Sequence, residues 1–154
     1  MTSILLAILA FLEPQRSLPI TVHLPTSEAI DVARQLARDL GYPLDRHPSL
    51  YFFDQLTGEG GKPSFAGYVS IGFYGGGHPI SHFEINEATG QVVDSVTCKL
   101  FEFPGLRAFQ QAQQKLSGSP PRTSKQLMDE IGCDKLIVVG KRVVPNAKPG
   151  PPGK

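Results

Sequence analysis

The sequence has no tryptophan, only two cysteines and no surplus of charge of either sign. Lysine and arginine number 15 against 14 acidic residues, which leaves a formal net charge of +1 over 154 residues. A chain this balanced has neither the basic surplus that nucleic acids attract nor the acidic surplus of a solvating tail. Glycine and proline are frequent instead, at 16 and 14 residues, which favours loops and hairpins. The length predicts one domain with a real core.

The sequence also lacks a catalytic or metal-binding signature. Gly75-Gly76-Gly77 is followed by neither a lysine nor a helix, so it does not predict a phosphate-binding loop. His78 and His82 would lie about 13 Å apart on one extended strand, too far to bind one metal ion. Glu84 and Asp94 fall on different parities of their strands, which argues against a pair of cooperating carboxylates. We therefore predict no enzyme activity and no cofactor.

One long apolar run begins the chain, from Ser3 to Leu12. It is about as long as the hydrophobic part of a signal peptide and too short to span a bilayer. We predict that residues 1–16 are a signal peptide or apolar N-terminal segment, and that the protein is periplasmic or secreted. The alternative is a cytoplasmic protein in which this segment packs on the core. Cys98 and Cys133 suit either compartment, because they can be small core residues or, after export, a disulfide.

The strongest pattern in the sequence is a region of alternating residues, from Gly67 to Phe101, that predicts three antiparallel strands. Three sets of apolar residues share a parity within it: Val69, Ile71 and Phe73; Phe83 and Ile85; and Val92, Val96, Cys98 and Leu100. The glycines at 75–77 predict the first reversal of the chain, and residues 86–90 predict the second. Asp94 falls on the buried parity, where we expect a bulge or an exposed strand end.

Residues 27–40 give the clearest helix in the sequence. Its apolar residues recur at helical spacing: Ala29, Val32, Ala33, Leu36, Ala37 and Leu40. Because this stripe is rich in alanine, the helix can lie close against a sheet. Leu50 to Leu56 predicts a strand between this helix and the meander. The predicted sheet therefore carries the helix on one face, with Val69, Ile71, Phe83, Ile85 and Val96 at its centre.

The part of the chain after the meander predicts a helix–helix–strand extension. The helices fall at 106–116 and 123–131, and the strand falls at 136–139. Residues 145–154 have no apolar side chains with which to offset the entropy of ordering, so they are expected to be disordered. A single α+β domain is therefore expected over residues 17–144.

The helix at 27–40, followed by a strand, the turn Asn86-Glu87-Ala88-Thr89-Gly90 and the pair Val92-Val93, resembles the PepSY domain over residues 26–101. That resemblance implies a cystatin-like fold, in which one helix packs across a curved antiparallel sheet. PepSY domains occur in exported bacterial proteins and in the propeptides of secreted metallopeptidases, where they look like inhibitory modules. The resemblance therefore implies an exported, non-catalytic module that binds a protein or peptide partner, with modulation of a peptidase as one form of that role.

The expected contact surface is the concave sheet face or the hairpin of Gly75, Gly76, Gly77, His78 and Pro79. Two other functions stay open at this point. One is a cytosolic α+β interaction protein, and the other is a small-ligand-binding domain of the cystatin type. Neither a nucleic-acid partner nor a stable membrane span is expected.

Overall fold

The computed structural model describes residues 23–55 and 65–140. The elements follow in this order: α1 (Thr26–Asp39), β1 (Leu50–Asp54), β2 (Tyr68–Gly75), β3 (His78–Asn86), β4 (Val92–Asp94), β5 (Lys99–Phe101), a 3-10 turn (Pro104–Leu106), α2 (Arg107–Ser117), α3 (Ser124–Ile131) and β6 (Ile137–Val139). The six strands form one sheet in chain order, antiparallel except for the parallel pair β5 and β6. The predicted α+β fold class is confirmed. The predicted apolar segment, 1–16, and the predicted disordered tail, 145–154, lie outside the described residues.

The alanine-rich stripe of α1 lies against the sheet and forms the main core. Five residues of the helix are buried there: Ala29, Val32, Ala33, Leu36 and Ala37. Small side chains on the helix leave room for large ones on the sheet, and Phe73 and Phe83 are fully buried. The Phe73 ring stacks on Phe52 of β1, with centroids 4.6 Å apart, and on Phe83, at 6.2 Å. The sheet face under α1 is therefore closed by apolar side chains.

The prediction of one strand over residues 91–101 is wrong, because a turn divides it into β4 and β5. Val96 is 69 % exposed in this turn and does not lie at the sheet centre. Cys98, predicted on an inward strand position, has a positive φ of 52° in the same turn. The cause is Asp94, whose carboxylate accepts the backbone N–H groups of Val96 and Thr97 at 2.9 and 3.0 Å. Its other oxygen accepts the Ser81 hydroxyl of β3.

The second turn lies where the sequence predicts it, and it also positions α2. The Asn86 Oδ1 accepts both the backbone N–H and the hydroxyl of Thr89, each at 3.0 Å. Gly90 has a φ of +68°, and a Cβ atom there would lie 2.9 Å from the Phe109 ring of α2. The Gln114 amide of α2 donates to the Thr89 carbonyl at 3.3 Å. Glycine is therefore required here both for the turn and for the approach of α2.

Within the described part of the chain, α3 covers part of the other face of the sheet. This helix begins at a capping box in which Thr123 and Gln126 each accept the other's backbone N–H. Its buried side chains join a second core cluster with the sheet: Tyr68, Val93, Leu100, Leu127, Ile131 and Cys133. A disulfide between Cys98 and Cys133 ties the β4–β5 turn to the segment after α3. The cover over this half of the sheet is thus covalently attached.

We expect the variant with both Cys98→Ser and Cys133→Ser to lose about 3 to 4 kcal/mol of unfolding free energy, because the bond closes a loop whose ends are 35 residues apart. Urea unfolding of the oxidised wild type and of this variant measures the difference. A reducing agent should bring the wild type down to the variant and leave the variant unchanged. Indifference of the wild type to reduction would contradict a structural role for the bond.

Candidate protein-binding surface

On the sheet face opposite α1, the side chains of β1 are exposed, whereas Tyr68 and Ser70 of β2 are buried. Strand alternation and register bring three aromatic rings and a histidine to this face: Tyr51, Phe53, Tyr74 and His82. We call these four residues the aromatic surface. Tyr51 is 44 % exposed and Phe53 is 39 % exposed. The aromatic surface is therefore accessible, whereas the half of the same face under α3 is buried.

The rings of the aromatic surface contact one another. The Tyr74 centroid lies 4.8 Å from that of Phe53, 5.6 Å from that of Tyr51 and 6.2 Å from that of His82. Gly72 allows this arrangement, because a Cβ atom at that position would lie 2.7 Å from the Tyr74 ring. Tyr74 thus lies over the backbone of its own strand and joins the two rings of β1 to β3.

Hydrogen bonds hold the central ring in place. The Gln55 side-chain amide donates to the Tyr74 hydroxyl at 3.0 Å and lies 3.4 Å from Nε2 of His82. Gln55 is itself fixed, since its backbone N–H donates to the Ser70 carbonyl of β2 at 2.8 Å. The aromatic surface is therefore ordered before any partner arrives, which lowers the entropy cost of binding.

A buried carboxylate lies beside the aromatic surface on the same face. Glu84 follows His82 by two residues on β3 and is 3 % exposed. Burial raises the pKa of Glu84, the hydroxyls of Ser70 and Ser95 that donate to it oppose this rise, and the charge of Asp94 adds to it. Glu84 pairs with Val93 in the sheet register and Asp94 pairs with Phe83, so the two acids lie on opposite faces.

Tyr68 marks the boundary between the open and covered halves of this face. Its hydroxyl donates to Glu130 of α3, which also lies 3.2 Å from the Arg122 guanidinium. Burial, followed by the bond to Glu130, raises the pKa of Tyr68 well above its ordinary value. The phenol therefore stays protonated and keeps α3 attached at the edge of its cover.

The predicted contact hairpin is exposed and adjoins the aromatic surface. Gly76 and Gly77 form its two-residue turn, with φ angles of +58° and +81°, as a type I′ turn requires. The hairpin connects the strands that carry Tyr74 and His82, whereas His78 lies exposed at its base. The structure thus separates the two histidines noted in the sequence, with only His82 in the aromatic surface.

Sequence reasoning missed the aromatic surface itself. Residues 50–54 alternate Leu50 and Phe52 with Tyr51 and Phe53, so both parities of β1 are apolar. A strand with two apolar faces predicts burial on both sides. Only Leu50 and Phe52 pack against the α1 core. One helix, α1, cannot cover both faces of a sheet, and this could have indicated that one face of β1 is exposed.

A second concave region lies between the β5–β6 side of the sheet and α2. This groove of about 580 Å³ is lined by both polar and apolar side chains, among them Gln91, Glu102, Arg107, Phe103 and Pro121. Exposed Val138 of β6 forms part of one wall. Residues 23–55 and 65–140 contain no cluster of three side chains able to hold a metal ion. No helix within the same residues is long and apolar enough to cross a membrane.

Comparison with models of known protein families and with curated proteins gives no match. Among solved structures, this chain is similar to one chain of a type VI secretion system effector-immunity complex from Pseudomonas protegens. The TM-score is 0.63 and the identity is 24 %, over 73 % of this chain and 91 % of that chain. The likeness shows that the two chains share a fold. The resemblance to PepSY domains stays a prediction.

The raised pKa of Glu84 predicts a specific pH dependence of stability. The folded chain binds the Glu84 proton more tightly than the unfolded chain, whose carboxyl has the ordinary pKa of 4.5. The contribution of Glu84 to stability is therefore most favourable below pH 4.5 and falls as the pH rises toward the folded pKa. Glu84→Gln removes this fall, and its amide keeps a partner for Ser70 and Ser95.

Urea unfolding of wild type and Glu84→Gln over roughly pH 4 to 7 tests this expectation. We expect the wild type to lose stability relative to the variant as the pH rises. Glu28→Gln, on the exposed side of α1, is the control and should parallel the wild type. Parallel curves for wild type and Glu84→Gln would refute the shifted pKa.

Proposed function

We propose that this protein is a non-catalytic binding module whose aromatic surface contacts a partner protein. The observation that carries the proposal is the exposure of Tyr51 and Phe53 beside a fixed Tyr74. Tyrosine and phenylalanine are enriched in protein interfaces, because a rigid ring buries a large area at low entropy cost. Contiguous exposed apolar side chains on a soluble protein mark such surfaces.

Polar groups around the rings support the same role. The Gln55 amide, the Tyr74 hydroxyl and the His82 imidazole already form a connected set at the surface. Groups of this kind at an apolar contact fix the orientation of the partner, while the rings supply most of the binding energy. An open surface of this shape is suited to covering part of another protein.

The shared fold supports one class of partner. A chain in an effector-immunity complex has this fold, and we propose that the present protein also belongs to such a pair. In this proposal it acts as the inhibitor and binds a secreted toxic effector. The disulfide between Cys98 and Cys133 supports an exported form of the protein, because such bonds persist in oxidising compartments. A peptidase is the alternative partner, favoured by the PepSY-like turn at residues 86–90.

Removing the two exposed rings of β1 tests the surface. A pull-down from the native source identifies the partner by mass spectrometry, and calorimetry with the purified proteins then gives the affinity. The variant with Tyr51→Ala and Phe53→Ala should bind about 30-fold more weakly or worse, because interface aromatics of this kind contribute about 2 kcal/mol or more.

Two matched controls locate the effect. Val138→Ala removes an exposed apolar side chain at the groove beside α2, and Leu116→Ala removes one on α2 itself. Both should bind the partner as the wild type does. Weakening by Val138→Ala together with full binding by the aromatic variant would transfer the binding site to the groove and refute the proposal.

Co-production of the partner and this protein in bacteria tests the proposed class of partner. A toxic effector should arrest growth when made alone, and wild-type protein should restore growth. The variant with Tyr51→Ala and Phe53→Ala should fail to restore it. A partner that is harmless by itself and has a peptidase activity altered by binding would contradict the effector proposal and support the peptidase alternative.

A further inference from the structure

β1 lies at the edge of the sheet, and no strand within residues 23–55 and 65–140 pairs with its outer side. The Gln55 N–H donates to Ser70 of β2, which shows which groups of β1 face inward. By the alternation of an antiparallel pair, the N–H and C=O groups of Phe52 and Asp54 point outward. The Leu50 carbonyl does so too, whereas the Leu50 N–H is bonded to the His47 carbonyl.

The outer side of β1 has none of the features that protect an edge strand from pairing. Such edges usually carry lysine, proline or a bulge, but β1 reads Leu-Tyr-Phe-Phe-Asp, with a single charge at Asp54. The other edge strand, β6, has three residues, against five in β1. β1 is therefore the longer of the two edges at which another strand can pair.

We propose that β1 pairs antiparallel with β1 of a second copy of this chain, about a two-fold axis at Phe52. In this register Phe52 exchanges two backbone hydrogen bonds with Phe52 of the second copy. The Asp54 N–H reaches the Leu50 carbonyl of the second copy, and the symmetric bond completes a set of about four. The two sheets then become one, and this goes beyond the binding role proposed above.

The same register matches the aromatic residues of the two copies. Pairing about Phe52 places Tyr51 directly opposite Phe53 of the second copy, and the reverse pair forms by symmetry. Aromatic residues directly opposite each other on adjacent strands are close enough to contact and stabilise the pairing. The aromatic surface would then continue from one copy to the other on the same face of the sheet.

Helix α1 fits this arrangement in position. It contacts β1, β2 and the 3-10 turn that follows β5, on the face of the sheet opposite the aromatic surface. The two copies of α1 would therefore lie antiparallel to each other on one face of the joined sheet. The side of α1 that faces the β1 edge carries Arg34 and Arg38, which line a groove beside Leu50 and Tyr51.

The charges of α1 toward the β1 edge have partners within the same chain. Arg34 is bonded to Asp31 at 3.2 Å, and Asp45 lies in the same groove as Arg34 and Arg38. The occupant is therefore selected by β1 itself, because its sequence Leu-Tyr-Phe-Phe-Asp pairs with its own antiparallel copy about Phe52.

Sedimentation velocity of the full chain over roughly 1 to 100 μM tests the dimer. We expect the wild type to move from its monomer mass of 16.7 kDa to twice that value as its concentration rises. Two double variants then test the register. Tyr51→Lys with Phe53→Lys puts like charges opposite each other across the axis, whereas Tyr51→Lys with Phe53→Glu puts opposite charges there.

The first double variant should be monomeric at every concentration, and the second should dimerise at least tenfold better than the first. A monomeric wild type at the highest concentration would overturn the proposal, as would equal behaviour of the two variants. Circular dichroism establishes that both variants are folded. The wild-type measurement needs no partner, so loss of the dimer and loss of partner binding are separate results.

Discussion

The contact between the alanine stripe of α1 and the phenylalanines of the sheet determines the rest of the structure. Because Ala29, Ala33 and Ala37 are small, the helix approaches the sheet closely. Phe73 and Phe83 of the sheet fill the space between the two. Among residues 23–55 and 65–140, the helix on the opposite face is α3, which is 8 residues long. It covers the β4–β5 side, whereas Tyr51 and Phe53 of β1 stay exposed. The available binding surface is therefore a consequence of where the helices pack.

Buried acids connect the covered half of the sheet to the open half. Asp94 forms the β4–β5 turn and accepts the Ser81 hydroxyl of β3. Glu84 accepts Ser70 of β2 and Ser95 of that same turn on the other face. Because each buried carboxylate accepts hydrogen bonds, Glu84 from hydroxyls and Asp94 from a hydroxyl and two backbone N–H groups, its desolvation cost is partly offset. These bonds hold β2, β3 and the disulfide-bearing turn in one arrangement, which keeps the aromatic surface rigid.

The sequence predicts the elements with a strong local period and misses what depends on distant residues. The helix at 27–40 and the turn around Gly90 follow from periodicity and turn chemistry. The division of residues 91–101 has a local cause as well, because Asp94 accepts the backbone N–H groups of Val96 and Thr97. Alternation alone does not show it, and the bond from Ser81 of the adjacent strand depends on a residue distant in sequence. Likewise, parity shows that Tyr51 and Phe53 share a face. It does not show that α3 covers the other half of that face.

Hydrogen–deuterium exchange with and without the captured partner tests the central claim, that the uncovered half of the sheet is the contact surface. We predict slower exchange in β1 and in residues 72–82, with α2 and β6 unchanged. Protection confined to the groove between β6 and α2 would contradict the account.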